Sequence, residues 1–295
     1  MKLRQWSSCS IAAGITMFLV GVVFHFLVPF IAPGIEPQYE HSELFRPWPG
    51  WTSTYMAIHP FIYAPVFAAI FLKLRHETSF PSGIRGALVY GASIFLVGSL
   101  PVFLLVFASF QVSVEIIVAW ITQNLCQYLA AGFAIGAVAD GATVRLSTQL
   151  PVSVDDVWRR LLQKETFLHI TRGWLTLKNS DTWPETLFLP GTTFVMKIQH
   201  FGIGPIFSHS VHVIRVDHAA REIQTEESGQ LVTSWNHQMR VESSPGNQSR
   251  YTDCIHLKAG LLTPLVWLFA CLFYRSRQQR LISLFARIAT GSSNE

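Results

Sequence analysis

The chain has 295 residues, half of them hydrophobic and only 14% charged, with a mean hydropathy of +0.33. Soluble domains carry about 25% charged residues, which argues against an ordinary water-soluble globule, and 22 Phe and 9 Trp supply too much apolar surface for a disordered chain. The net charge of +4 is too diffuse for a nucleic-acid footprint, and the four separated cysteines contain no CxxC pair that would suggest a zinc site or a disulfide framework.

Charge is unevenly spread along the chain. Residues 1–140 hold 6 Lys/Arg and 6 Asp/Glu, whereas residues 141–295 hold 16 and 12. Two domains follow: an α-helical membrane domain over 1–141 and an α+β domain over 142–290, with a tail at 291–295. In the first, Ile11–Ala32 is an uncharged run of 22 residues, long enough to cross a hydrocarbon core of about 30 Å. It is too long for a signal-peptide core, and Pro33 occupies the obvious cleavage point, so an uncleaved anchor is expected. Tyr55–Leu72, Gly86–Phe107 and Val112–Val138 complete a four-span prediction.

Lys2 and Arg4 precede the first span, and Lys73, Arg75 and Arg85 lie between the second and third. The first loop has only Arg46 against Glu36, Glu40 and Glu43, and the third loop has no basic residue. The positive-inside rule then places both termini in the cytoplasm of a multi-pass cell-membrane protein. Trp48 and Trp51, with Tyr39 and Phe45, read as interfacial anchors. Within the fourth span, Gln123 and Gln127 share a face, and Gly132-x-x-x-Gly136 follows. These groups suit helix–helix adhesion through hydrogen bonds and close backbone approach, and Gly132 and Gly136 offer a surface for self-association. A polar pathway is the alternative.

After Asp140-Gly141 the pattern changes. Val144, Leu146, Thr148 and Leu150 alternate with polar residues in a strand over 143–151. Ser153 with Asp156 three residues on marks a helix start. An aromatic stretch (Phe167, Trp174, Trp183) leads into strands at Thr192–Gln199, Ser208–Val216, Glu222–Glu227, Leu231–Glu242 and Ser249–Ala259, separated by Gly- and Pro-containing turns. Short connections between consecutive strands imply an antiparallel sheet. One long helix, from Leu261 to about Ile288, closes the pattern. Strand, helix, meander and terminal helix together describe a helix-grip fold, a curved sheet wrapped around the last helix with a cavity between.

Residues 144–289 resemble the SRPBCC superfamily of START-like, polyketide cyclase/dehydrase and birch-pollen-allergen-like proteins. The matching pieces are Leu150-Pro151-Val152-Ser153-Val154-Asp155-Asp156-Val157-Trp158, Thr233-Ser234-Trp235-Asn236-His237, Tyr251-Thr252-Asp253, and Ala259-Gly260-Leu261-Leu262-Thr263-Pro264 through Phe273-Tyr274-Arg275-Ser276-Arg277-Gln278. The resemblance implies a ligand cavity lidded by the terminal helix. Relatives include cyclases, dehydratases and coenzyme-Q-type lipid binders, so it leaves catalysis and carriage both open. The membrane half resembles no family.

Period-two counting places the cavity face. Thr233, Trp235, His237, Met239 and Val241 share the apolar side of one strand; Tyr251, Asp253, Ile255 and Leu257 share a side of the next. A turn centred near Pro245 would set Met239 opposite Tyr251 and His237 opposite Asp253; a slip of two residues would still leave that His and Asp diagonal neighbours. His209, Val211 and Val213 form an inward set from an earlier strand. Trp174 and Trp267 complete the expected lining. A His237–Asp253 pair suits either a general base held by a carboxylate or a structural bond that fixes strand register. His209 and His212, an odd separation apart on a strand, point to opposite faces and do not suit a metal. Leu261–Tyr274 is an uncharged run of 14 residues, short for a fifth span and usual for a core helix. The arginines after it (Arg275, Arg277, Arg280, Arg287) suit anionic headgroups.

The leading expectation is therefore a membrane-anchored domain whose partners are membrane lipids and a hydrophobic small molecule, with no cofactor, no metal and no nucleic acid. One alternative is a cyclase- or dehydratase-like enzyme using His237 and Asp253. Another is a four-helix transport or scaffold protein with a ligand-sensing soluble domain; loss of function on deleting residues 1–140 alone would mark it.

Overall fold

The structure is a computed structural model, and it describes residues 3–40, 45, 51–77 and 80–289. It divides into two compact units, Met1–Gly141 and Ala142–Glu295. Arg46, Trp48, the side chain of Trp51 and the tail at 291–295 lie outside what is described.

The first unit is built from α1 (Leu3–Ile31), the short α2 (Ile35–Glu40), α3 (Trp51–Glu77), α4 (Gly83–Ile94), α5 (Leu100–Ser109) and α6 (Val114–Asp140). Four helical stretches are long and apolar enough to cross a membrane; α4 and α5 count as one of 27 residues, joined by a π-helical turn at Phe95–Ser99. Pro101 explains the wide turn. It has no N–H, and its ring needs room beside the carbonyl of Val97, which a π turn provides.

Polar and small residues hold these helices together. Gln127 Nε2 donates to the Met17 carbonyl at 3.0 Å in a buried site, and Gly21 of α1 lets the Gln123 and Gln127 side chains approach. Gly132 and Gly136 face α4 of the same chain. A Cβ at Gly132 would lie 2.4 Å from the Ala87 carbonyl oxygen, and one at Gly136 would lie 2.8 Å from Ala87 Cβ. The close approach expected between two copies is thus used within one. Tyr39 packs on Phe45 at 4.7 Å and accepts a 2.6 Å bond from Trp120 Nε1, so it serves an aromatic cluster. Asp140, which pairs with Arg75 and accepts from the Gly83 amide, ends α6, and Gly141 at φ 87° then turns the chain into the second unit.

The second unit contains β1 (Ala142–Leu150), α7 (Val154–Leu161), α8 (Lys164–Thr171), β2 (Leu175–Leu177), β3 (Thr193–His200), β4 (Phe207–Asp217), β5 (Glu222–Gly229), β6 (Ser234–Ser244), β7 (Gln248–Lys258) and α9 (Thr263–Ala289). The strands form one antiparallel sheet in the order β1-β7-β6-β5-β4-β3-β2. A register shift between Val213 and Arg215 marks a bulge, which adds local twist and bends β4. Helix α9 buries Ala270, Phe273, Tyr274, Arg277, Gln278 and Leu281 at helical spacing. The unit is therefore a helix-grip fold, a curled sheet with the last helix against it. α7 starts as expected: Ser153 Oγ accepts from the Asp156 amide at 3.2 Å, and its hydroxyl donates to Asp156 Oδ2 at 2.7 Å.

Three details correct the sequence reading. α8 and β2 occupy what reads only as an aromatic stretch. Strand β6 begins at Ser234 rather than Leu231. The β6–β7 hairpin is shifted by two residues, so that Ser244 pairs with Gln248, Met239 with Asp253 and His237 with Ile255. The loop is Pro245-Gly246-Asn247, with Gly246 and Asn247 both at positive φ, so the turn is centred one position beyond Pro245.

Candidate functional site

A cavity of about 410 Å³ lies within the second unit, inside the ordinary range of about 300–1,000 Å³ for small-molecule pockets. Most of its wall is apolar: Phe167 of α8, Met196 of β3, Val211 of β4, Met239 of β6, and Phe269 and Phe273 of α9. The polar exceptions include His209, Glu227, His237, Tyr274 and Arg277. They meet because β4, β5 and β6 are neighbours in the sheet and α9 carries Tyr274 and Arg277 one turn apart.

Asp253 organises the deepest part. It is fully buried, 0% exposed. Its Oδ1 accepts from His237 Nε2 at 2.8 Å and from the Tyr251 hydroxyl at 2.6 Å, while Oδ2 accepts from Gln278 Nε2 at 3.2 Å. The His237 bond is diagonal in the sheet, a consequence of the two-residue shift. An ionised carboxylate only accepts, so Nε2 of His237 carries a proton and donates in this bond. Nδ1 lies 3.4 Å from the Tyr274 hydroxyl and 3.9 Å from Glu227 Oε1. A second pair stands beside the first: Glu227 Oε2 bonds His209 Nε2 at 2.8 Å, and Glu227 Oε1 accepts from the Thr225 hydroxyl at 2.7 Å.

Opposing forces set the charge states. Burial pushes the Asp253 carboxyl up, but the Arg277 charge and the His237 and Tyr251 bonds outweigh it and leave its pKa below the usual carboxylate value. Glu227 behaves in the same way, with His209 as the chief counterweight to burial. Tyr251 and Tyr274 are raised, mainly by burial, and stay neutral phenols. Burial would discharge Arg277, yet the surrounding phenols and carboxylates keep its pKa above the normal range.

Of the residues expected to line the cavity, His209, Val211, Trp235, His237 and Met239 do so. Tyr251 and Asp253 belong to the buried network behind His237 and bond it there rather than lining the wall. Ile255 is fully buried beside His237 and is also not in the wall. Trp174 packs at 5.3–6.1 Å against the wall residues Phe201, Phe269 and Phe273, one layer out. Trp267 faces elsewhere and donates to the Thr143 carbonyl at 3.1 Å on the edge strand β1. His209 and His212 do point apart: the first bonds Glu227, and the second bonds the Thr193 hydroxyl at 2.8 Å outside.

Sequence reasoning missed Glu227, Tyr274, Arg277 and Gln278. Period two along β5 would have found Glu227, because Ile223, Thr225 and Glu227 share the inward face. Arg277, expected at a headgroup surface with its neighbours, is only 4% exposed. Its place on the stripe that includes Phe273, Tyr274 and Leu281 was the available signal.

No protein-family model matches this chain, and no curated protein matches it. Several solved structures resemble about half of the chain at low identity. A START superfamily protein from Mycobacterium smegmatis has 10% identity and TM-score 0.39, covering 50% of this chain and 98% of its own. The Zhui aromatase/cyclase from Streptomyces sp. R1128 has 10% identity and TM-score 0.41, covering 52% and 99%. Norcoclaurine synthase from Thalictrum flavum has 14% identity and TM-score 0.37, covering 52% and 89%. The helix-grip fold of the second unit is the fold that the sequence resemblance to SRPBCC domains implies.

Proposed function

We propose that this protein holds a lipid or other apolar small molecule in the cavity of its second unit, anchored to the cell membrane by its four apolar helices with both termini in the cytoplasm. The observation that carries the reading is the predominantly apolar cavity of about 410 Å³. Its mouth supports it. Phe201, Leu231, Leu262 and Leu265 are wall residues that are also exposed, at 39–66%, and clustered exposed apolar residues mark interaction surfaces. Such a rim suits transfer of a ligand to and from a bilayer. Native mass spectrometry of the full-length protein released from detergent tests this. A co-purifying small molecule is expected, and Val211→Trp, which fills the wall, is expected to exclude it while leaving the fold intact. A folded protein that carries nothing and takes up no apolar probe would refute the reading. Reporter fusions at each end test the orientation.

One observation favours a second reading, an enzyme of the cyclase or dehydratase type. Asp253 holds Nε2 of His237 as a donor, and Nδ1 of the same ring, next to the Tyr274 hydroxyl, is on the side of the residue that lines the cavity. A base so placed can take a proton from the carbon next to a carbonyl. Deuterium exchange into a bound methyl ketone reads this step directly, and His237→Ala should abolish it. An unchanged exchange rate would end the enzymatic reading while leaving ligand binding untouched.

A further inference from the structure

Arg277 is a polar residue of the cavity wall whose hydrogen-bond donors the preceding account leaves largely unused. It comes from the buried face of α9, its side chain is in the cavity wall, and the residue is 4% exposed. A guanidinium has five N–H donors. Among the described residues its hydrogen bonds both leave from Nη2, one to the weak-acceptor sulfur of Met239 at 3.4 Å and one, long, to the Tyr251 hydroxyl at 3.4 Å. Nε is buried without a hydrogen-bond partner among the described residues. The Tyr274 ring covers the guanidinium at 5.2 Å, which offsets charge but accepts no conventional hydrogen bond. The nearby carboxylates are already engaged: Asp253 by His237, Tyr251 and Gln278, and Glu227 by His209 and Thr225. Buried donors that find no acceptor cost about 1–3 kcal/mol each, more when charged.

We infer that Arg277 is a specificity-determining residue that binds an uncharged acceptor oxygen (a ketone, ester or hydroxyl) on the otherwise apolar ligand. The inference rests on the ligand-binding reading above. The charges around the guanidinium select a neutral acceptor over an anionic one. Glu227 is itself in the wall, and Asp253 lies behind the Tyr251 hydroxyl that Arg277 reaches, so a ligand anion at this site would be buried near two carboxylates. Burying a further anion there costs far more than burying a carbonyl oxygen, which takes the free donors and adds no charge. The same oxygen would lie in the part of the cavity that His237 also lines, which orients the rest of the molecule along the apolar wall.

The test compares three probes of equal chain length on the full-length protein in detergent: 2-dodecanone, dodecane and dodecanoate, each scored by displacement of a fluorescent apolar dye at neutral pH. The ketone is expected to bind about tenfold to a hundredfold more tightly than the alkane, the ratio that one hydrogen bond to a charged donor supplies. Arg277→Met removes the donors at similar length and should bring the ketone down to the alkane. Arg277→Lys keeps the buried positive charge, so it is the variant to use if the methionine variant does not fold, and it should lose most of the preference because the fork of donors is gone. Equal binding of ketone and alkane to the parent protein overturns the role of Arg277 while leaving the cavity reading intact. Tighter binding of dodecanoate than of ketone overturns the neutral-oxygen assignment. Failure of all three probes, with the protein folded, removes the ligand-binding reading and this inference together.

Discussion

Replacing Asp253 with Asn keeps the shape of the side chain and removes its charge. The native carboxylate accepts three bonds, from Tyr251 at 2.6 Å, His237 at 2.8 Å and Gln278 at 3.2 Å. An amide offers one oxygen and one NH₂, so at least one of these donors would face another donor, and Arg277 would lose its main compensating charge. Removing one member of a buried, hydrogen-bonded charge network costs about 3–5 kcal/mol. For a domain of roughly 150–250 residues each kcal/mol moves the thermal midpoint by about 2–4 °C, so a drop of about 6–20 °C is expected. Near-ultraviolet circular dichroism of the full-length protein in detergent reads it through the aromatic packing of the second unit. Tyr251→Phe removes a single donor and should cost less, about 1–3 kcal/mol. The double variant Asp253→Asn/Arg277→Met removes the two charges that bond the same Tyr251 hydroxyl and should be less damaging than the sum of its parts by about 0.5–3 kcal/mol. An Asp253→Asn midpoint within about 2 °C of the parent, or strictly additive costs, would refute the view that this carboxylate and guanidinium sustain each other.

Other expectations follow from the same geometry. Asp253 and Glu227 bind protons more weakly in the folded protein than in the unfolded chain, so their stabilisation is complete above the unfolded values of about 3.9 and 4.3 and is lost as pH falls through the lower folded ones. Urea unfolding between about pH 3 and 7 should show this loss, and Glu227→Gln should be less stable at neutrality with a shallower acid slope. Gly132→Val would push a side chain into the Ala87 carbonyl, 2.4 Å from where Cβ must sit; thermal stability in detergent should fall with no change in molar mass by light scattering. Gln127→Leu deletes the bond to the Met17 carbonyl and should cost about 0.6–2 kcal/mol, measured as a shifted midpoint for release of protease-sensitive sites in the helices.

Much of the architecture was legible because it rests on periodicity. Apolar runs of span length, strands alternating at period two and a striped terminal helix each leave a mark that burial imposes on sequence. The His237–Asp253 contact was legible for the same reason, although the hairpin register was not: Ser-Pro-Gly-Asn allows more than one turn, and Gly246 and Asn247 at positive φ decide it. α8 and β2 were hidden because they are eight and three residues long, too short for a periodic signal to stand out. Tyr251, Asp253 and Ile255 were expected in the wall and lie behind it, because period two finds the face of a strand but cannot tell a residue touching the hollow from one packed behind it; Trp174 and Trp267, on a loop and on α9, had no such periodic signal. Arg277 was hidden by its chemistry. An arginine near three others reads as surface charge until the helix is seen to turn it inward.

Helix α9 also has a consequence for the order of assembly. It follows all seven strands in the chain, and it alone carries Arg277 and Gln278. While the ribosome is still extending the polypeptide, the β6–β7 hairpin has emerged with Asp253 and His237, yet the cation and the amide that settle that acid inside the sheet have not been made. The nascent sheet therefore closes over its carboxylate only after α9 docks, and a chaperone-accessible, unclosed intermediate should persist until then.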